Sequence, residues 1–175
     1  MGIVENYFVM KFTCTKENLS KALSVVSHLA GKNVTLPILN NILLETHEGV
    51  MVLSSTNLEI GMRTEVRGKV EEEGRVTVGA KVLADYVNLL QDEKVTLNVD
   101  VSDLEIKGQK SKTKIKGMPA EEFPVIPKVD SEKELVLPIV DLKNALSRVI
   151  FAAAHDETRP EISGVFIKVV EGSLV

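Results

Sequence analysis

The sequence predicts an α+β fold built from repeated strand–helix–strands units. Three observations predict it. The first is a duplication: residues 18–52 lie on residues 141–175 without a gap when the chain is slid by 123 positions. Leu19, Ala22, Leu23, Ser24 and Val26 then meet Leu142, Ala145, Leu146, Ser147 and Val149, while Thr35, Pro37 and Glu48-Gly49 meet Thr158, Pro160 and Glu171-Gly172. A register kept through a helix pattern, a proline and a turn glycine marks a domain-scale repeat. The second is a weaker half-repeat at a shift of 64, which sets Thr13, Leu19 and Leu23 on Thr77, Leu83 and Val87. The third is the change of period inside the unit, from helical spacing to a hairpin pattern.

Each element has a local reason. Residues 1–9 read as an extension or cloning remnant ahead of a first strand at 11–15. Thr15, with Glu17 in the first turn and Asn18 three residues on, starts a helix. Leu19, Ala22, Leu23, Val26 and Leu29-Ala30 form its apolar stripe, and Gly31 is the expected stop. Pro37 fixes an extended entry into a strand at 38–46, and Glu48-Gly49 turns the chain into its return at 50–54. Alternating Leu58, Ile60, Met62 and Val66 predict a third strand over 57–67. Glu71-Glu72-Glu73-Gly74 reads as a charged turn, and 75–78 is short and β-prone. A second amphipathic helix is expected over 80–90, then strands at 94–99, 104–107 and 111–116. Pro119, Pro124 and Pro127 among charges make 117–134 a linker. A strand at 135–137, a helix from 140 to about 153 and a strand at 162–170 begin the unit again. The domain reading is therefore 10–127 as a complete first domain and 128–175 as linker plus the start of a second. The end at Val175, within a hairpin, suggests a fragment of something longer.

Composition narrows the function. No apolar run approaches the roughly 18 residues of a membrane span, and the first residues lack a signal peptide's basic flank and apolar core. Asn6 stands where a myristoylation motif needs Ser or Thr. A single cysteine, Cys14, allows no internal disulfide and suits a reducing cytosol. The net charge of −4 excludes a nonspecific basic glue for nucleic acid but not a local basic surface. His28, His47 and His155 lack metal-ligand spacing. Cys14 falls in a predicted strand as a core thiol rather than a nucleophile. His155-Asp156 has no third member for acid–base work, and the glycines form neither a phosphate loop nor a dinucleotide fingerprint. No catalytic residue, metal or cofactor is expected.

The basic residues carry more. Lys16, Lys21, Lys81, Lys143 and Arg148 stand on the polar faces of the repeated helices, and Lys32 and Arg159 in the loops that follow two of them. These are either ordinary solvated faces or one surface that meets phosphate without reading sequence. Lys110, Lys112, Lys114 and Lys116 make one face of a strand all lysine. That is either an edge guarded against aggregation or an edge that a partner strand uses.

Met10-Lys11-Phe12-Thr13, Thr35-Leu36-Pro37-Ile38-Leu39-Asn40-Asn41, Ser55-Thr56-Asn57-Leu58-Glu59-Ile60 and Met118-Pro119-Ala120-Glu121-Glu122-Phe123-Pro124 together resemble the bacterial DNA polymerase III beta subunits, the replicative sliding clamps. The resemblance runs from about Met10 to Val175. It implies a DNA-clamp fold, with helices lining a pore and antiparallel sheets outside, in a cytoplasmic head-to-tail homodimer of three-domain protomers around duplex DNA. The function it implies is that of a non-catalytic processivity factor, loaded by a clamp-loader ATPase, that tethers the replicative polymerase. By the family's pattern Lys16, Lys21, Lys81, Lys143 and Arg148 line the pore. The loops at Lys32-Asn33 and His155-Asp156 should touch DNA, with Arg159 beside them; Asn33 and the acidic Asp156 depart from the family's basic preference there. The head-to-tail contact falls on Lys110, Lys112, Thr113 and Ile115, and one rim of a partner-peptide groove on Arg159 and Ile162. With no third domain, this chain is expected to be a monomer that closes no ring. The rival readings are a non-catalytic interaction module using the lysine edge, and an enzyme domain on a clamp-like scaffold.

Overall fold

The computed structural model describes residues 9–30, 36–127, 135–154, 162–170 and 173–174. The chain divides into two units, Met1–Pro127 and Lys128–Val175.

The first unit is built twice over on one plan. Strand β1 (Met10–Thr15) runs into helix α1 (Lys16–Val26), and strand β6 (Arg75–Gly79) runs into helix α2 (Ala80–Leu89). Both strand-to-helix junctions are offset by 64, since Thr15 and Gly79 are the two N-caps. Thr15 caps α1 as its sequence predicts: its side chain accepts the Asn18 N–H at 3.3 Å. After α1 come β2 (Asn41–His47), β3 (Val50–Thr56), β4 (Gly61–Arg67) and β5 (Lys69–Glu72); after α2 come β7 (Lys94–Asp100), β8 (Asp103–Lys107) and β9 (Lys112–Met118). The strand order is β4-β3-β2-β6-β9-β8-β7-β1-β5. Each half lends its leading strand to the other: β1 pairs with β7, and β6 pairs with β2. The two ends of that order, β4 and β5, are separated in sequence only by Gly68, where a Cβ would overlap the Phe12 ring and the Thr13 carbonyl. The ladder thus turns a corner that a larger residue would block.

The core lies between the helices and the inner faces of these strands. Leu19, Leu23 and Val26 of α1 and Leu83 and Val87 of α2 are sealed from solvent against Phe12, Leu44, Leu53, Val78, Leu97 and Leu104. Fully burying such a side chain contributes on the order of 2 kcal/mol. The paired helices are therefore fixed by their apolar stripes, which leaves their opposite faces outward.

Several elements differ from the sequence expectation. Helix α1 ends at Val26, well before Gly31, which lies outside the described residues. The His28 ring donates through Nδ1 to the Ser24 carbonyl, the acceptor that a further helical turn would need. Pro37–Asn40 is a 3₁₀ turn rather than an extended entry, and it buries Leu39. Residues 57–60 form a turn, not strand. Asn57 Oδ1 accepts the N–H groups of Glu59 (3.1 Å) and Ile60 (2.8 Å), and Thr56 Oγ1 donates to the Ile60 carbonyl at 2.9 Å. Glu71 and Glu72 belong to β5, where Lys11 Nζ meets Glu71 Oε2 at 2.6 Å, so the turn shrinks to Glu73-Gly74. Gly117 and Met118 complete β9. Residues 119–127 are likewise no free linker: Phe123 is buried, Glu121 accepts from Arg75 at 2.8 Å, and the segment lies over Leu43, Ser54 and Arg63. The linker residues 128–134 lie outside the described set.

The second unit repeats the first in register. Helix α3 (Ile139–Val149) is offset from α1 by 123 at both ends. The hairpin β10 (Val169–Val170) and β11 (Ser173–Leu174) pairs Val169 with Leu174 and Val170 with Ser173, the counterparts of Thr46 with Met51 and His47 with Val50. Residues 135–138 are not strand, Ile150–Ala152 is a 3₁₀ turn, and of 162–170 only Val169–Val170 is strand. No residue of α3 is buried. Its stripe of Leu142, Ala145, Leu146 and Val149 lines an open groove of about 520 Å³ with Ile162 and Val165. No helix among the described residues is long and apolar enough to cross a membrane.

Candidate nucleic-acid interface

Helices α1 and α2 lie side by side, joined on their outer side by Ser20 Oγ donating to Asn88 Oδ1 at 2.7 Å. The apolar residues they must bury fix which residues they show. Glu17 and Lys21 are exposed on α1, with Lys16 half-exposed, and Lys81 and Asp85 are exposed on α2. The same repeat that superposes the helices inverts their charges: Glu17 and Lys21 correspond to Lys81 and Asp85. On α1 the acid precedes the base by four residues, the favourable order beside the helix dipole, and Lys21 Nζ meets Glu17 Oε1 at 2.6 Å. That hydrogen bond holds the Glu17 carboxyl below its ordinary range. On α2 the order is reversed, and among the described residues no carboxylate lies within ion-pair distance of Lys81. Lys16 is likewise without an ion pair among them.

The two helices together carry three lysines against Glu17 and Asp85, a net charge of +1. Such a surface attracts phosphate weakly. The cleft beside Lys21 and Asn18 is lined as well by Arg67, at the end of β4, and by Glu65, so it adds no net charge. Sequence reasoning missed Arg67 because only the β4 register brings it beside α1.

In the second unit, Lys143 and Arg148 are exposed on α3. They occupy the positions of Ser20 and Val25 of α1, so the basic residues of the repeated helices are not equivalent to one another. Lys32, Asn33, His155, Asp156 and Arg159 lie outside the described residues. Ile162 is exposed and lines the groove beside α3; its counterpart at the 123 shift is the core residue Leu39.

The lysine strand is β9. On one side it pairs with β8 along Lys112–Lys116; on the other, among the described residues, only Gly117 and Met118 pair, with Val78 and Thr77 of β6. The backbone from Lys112 to Lys116 therefore presents an open edge. Its lysines face β8 acids across the ladder: Lys116 opposes Asp103, Lys114 opposes Glu105, and Lys112 Nζ meets Glu105 at 3.0 Å. Lys110 stands in the turn before the strand. Thr113 is half-buried, and Ile115 is 9% exposed within the unit's own core. Within the unit the Ile115 side chain packs inward, and what the edge from Lys112 to Lys116 leaves open is backbone groups.

Among the described residues no group of three His, Cys, Asp or Glu side chains could hold a metal ion. Cys14 is buried, and desolvation pushes its thiol up to about 12, far from nucleophilic at neutral pH.

The family described as DNA polymerase III beta subunit, N-terminal domain, matches residues 10–127. The beta sliding clamp of Synechocystis sp. is 34% identical over 168 residues, covering 91% of this chain and 43% of the relative. That of Escherichia coli is 30% identical, covering 91% and 44%. Among solved structures, the beta subunit of Thermotoga maritima superposes with a TM-score of 0.88 at 31% identity, covering 94% of this chain and 45% of that one. The Caulobacter crescentus beta sliding clamp gives 0.87 at 27% identity, covering 97% and 46%. The chain spans about half the length of the curated relatives it matches. The antiparallel sheet with its paired helices is the clamp fold, and this chain belongs to the DNA polymerase III beta subunit family, its residues 10–127 matching that family's N-terminal domain.

Proposed function

We propose that this chain supplies the leading part of a bacterial DNA sliding clamp, a cytoplasmic, non-catalytic processivity factor. Residues 10–127 would form one clamp domain and 128–175 begin a second. The observation that carries this reading is the helix pair: α1 and α2, related by an internal repeat, turn weakly basic faces outward, with Val25, Val82 and Leu89 exposed among the polar residues, while their strands close behind them. A surface of net charge +1 cannot hold duplex by charge alone. Residence on DNA would come from topology, which turns a weak phosphate grip into a lasting tether. Lys16, Lys21, Lys81, Lys143 and Arg148 would meet phosphates, with Lys32, Asn33, His155, Asp156 and Arg159 in the adjoining loops. The open edge of β9 at Lys110, Lys112, Thr113 and Ile115 would pair head-to-tail with another protomer. A loader ATPase and the replicative polymerase are the expected partners, and Arg159 and Ile162 would border the peptide groove. The 175 residues alone are expected to stay monomeric and to bind duplex weakly.

A second reading, an interaction module working through the lysine edge, is favoured by the unpaired Lys112–Lys116 backbone. Charge reversal separates the two. Lys16, Lys21 and Lys81 changed together to Glu should weaken low-salt duplex binding by the chain. The slope of log K against log salt should fall by up to about 0.9 for each phosphate that is no longer neutralised. The same change at Lys112, Lys114 and Lys116 should leave DNA binding nearly intact. The opposite pattern would sink the helix-face reading.

A further inference from the structure

We infer that Asp92 is the positioning residue for the open edge of β9, tying the end of helix α2 to the turn that launches that strand; this rests on the clamp reading of the edge. Asp92 lies between α2 and β7, yet its carboxylate serves a turn 17 to 19 residues away. Oδ1 accepts the N–H groups of Gln109 (2.9 Å) and Lys110 (3.3 Å), and Oδ2 accepts Ser111 Oγ–H at 2.8 Å. The turn closes on itself as the Gly108 N–H donates to the Ser111 carbonyl at 2.8 Å. One carboxylate thus holds three consecutive residues immediately before Lys112.

Two further observations agree. A Cβ at Gly108 would collide with the Asp92 carboxylate and come within 2.9 Å of Ser111 Oγ, so the turn admits the carboxylate only because position 108 has no side chain. The Ser111 hydrogen bond, followed by those of Gln109 and Lys110 and the Lys110 charge, outweighs desolvation and holds the Asp92 carboxyl below its ordinary range. The consequence lies at the edge. Among the described residues the backbone from Lys112 to Lys116 has strand neighbours on one side only, so its leading end is steadied there by β8 and by this turn. An incoming strand needs that edge already straight, because ordering it on contact would cost affinity.

The test has two arms. In the 175-residue chain, Asp92→Ala should raise amide exchange at 109–112 on the order of tenfold, the worth of a charge-assisted hydrogen bond. Exchange in α1 and β3 should not change. Asp92→Asn, which keeps an acceptor for the backbone, should restore most of the protection. Gly108→Ala, which displaces the carboxylate without removing it, should reproduce the Asp92→Ala effect. The second arm places residues 10–127, which carry their own core, in the Thermotoga maritima clamp in place of its first domain. Rings carrying Asp92→Ala should leave nicked circular DNA several-fold faster than unmodified chimeric rings, and faster than rings carrying Thr15→Ala, which loses comparable stability away from the edge. Unchanged exchange at 109–112, exchange raised throughout the unit, or chimeric rings that open at the unmodified rate would each overturn the inference. An unmodified chimera that ignores DNA topology would instead bring down the clamp reading, and with it the role of the edge.

Discussion

Leu23 and Leu146 provide a controlled perturbation, because the 123-residue repeat places the same residue at the same point of two helices. Leu23 is 1% exposed, sealed against the strands of the first unit, whereas Leu146 lines the open groove beside α3. Truncating a sealed leucine to alanine loses the transfer energy of the removed atoms and leaves a cavity, about 3 kcal/mol. The groove beside α3 already admits water, so Leu146→Ala leaves no new cavity and should cost well under about 1 kcal/mol. With a urea m-value of about 2 kcal/mol/M, Leu23→Ala should lower the unfolding midpoint by about 1.5 M. Leu146→Ala should barely move it. Urea titration followed by far-UV circular dichroism measures both, since the chain has no tryptophan. Equal shifts for the two variants, or a larger one for Leu146→Ala, would refute the assignment of a closed core to the first unit and an open one to the second.

Three more outcomes follow from the geometry. The Lys11–Glu71 pair should stabilise the β1–β5 contact between two limits. Hydrogen bonding by Lys11 depresses the Glu71 carboxyl, so its contribution is full above about 4.5 and is lost as pH falls through the lower folded value. The same bond raises Lys11, whose contribution is full below about 10.5 and is lost as pH rises through the higher folded value. Glu71→Gln should therefore shift the urea midpoint at neutral pH but not in strong acid, and a difference that persists in acid would contradict the pairing. Thr15→Ala removes the α1 cap and should cost about 1 kcal/mol, readable as a lower thermal midpoint; no change would mean that the cap carries nothing. Cys14 should resist thiol reagents in the folded chain and react at once in denaturant, so rapid labelling of native protein would show that the first strand is not buried as described.

Much of the fold was legible because burial and period carried it. The α1 stripe, the Thr15 cap and the Glu48-Gly49 turn all depend on neighbours within a few residues, and both repeat shifts reappear in the positions of helices and hairpins. The misreadings came where a local pattern met a stronger local hydrogen bond or a distant partner. Leu58 and Ile60 alternate like a strand, but the Asn57 side chain captures the backbone of Glu59 and Ile60. The acidic run at Glu71 looked like a turn because Lys11, its partner across the sheet, lies sixty residues away. The candidate site was less legible than the fold. Lysines could be placed on helix faces by period alone, yet the Glu17–Lys21 pairing, the approach of Arg67 and the inward commitment of Ile115 depend on tertiary register. Asp92 carried no sequence signal, because its three hydrogen bonds reach a turn across a whole strand pair.

The most direct measurement of the central claim uses the chimeric Thermotoga maritima clamp with residues 10–127 as its first domain, loaded onto nicked circular duplex that is then cut once. The account predicts retention on the intact circle and rapid loss after cutting, as for the unmodified clamp measured alongside. Equal retention before and after the cut, with the unmodified clamp still lost on cutting, would contradict a topological tether built on this fold.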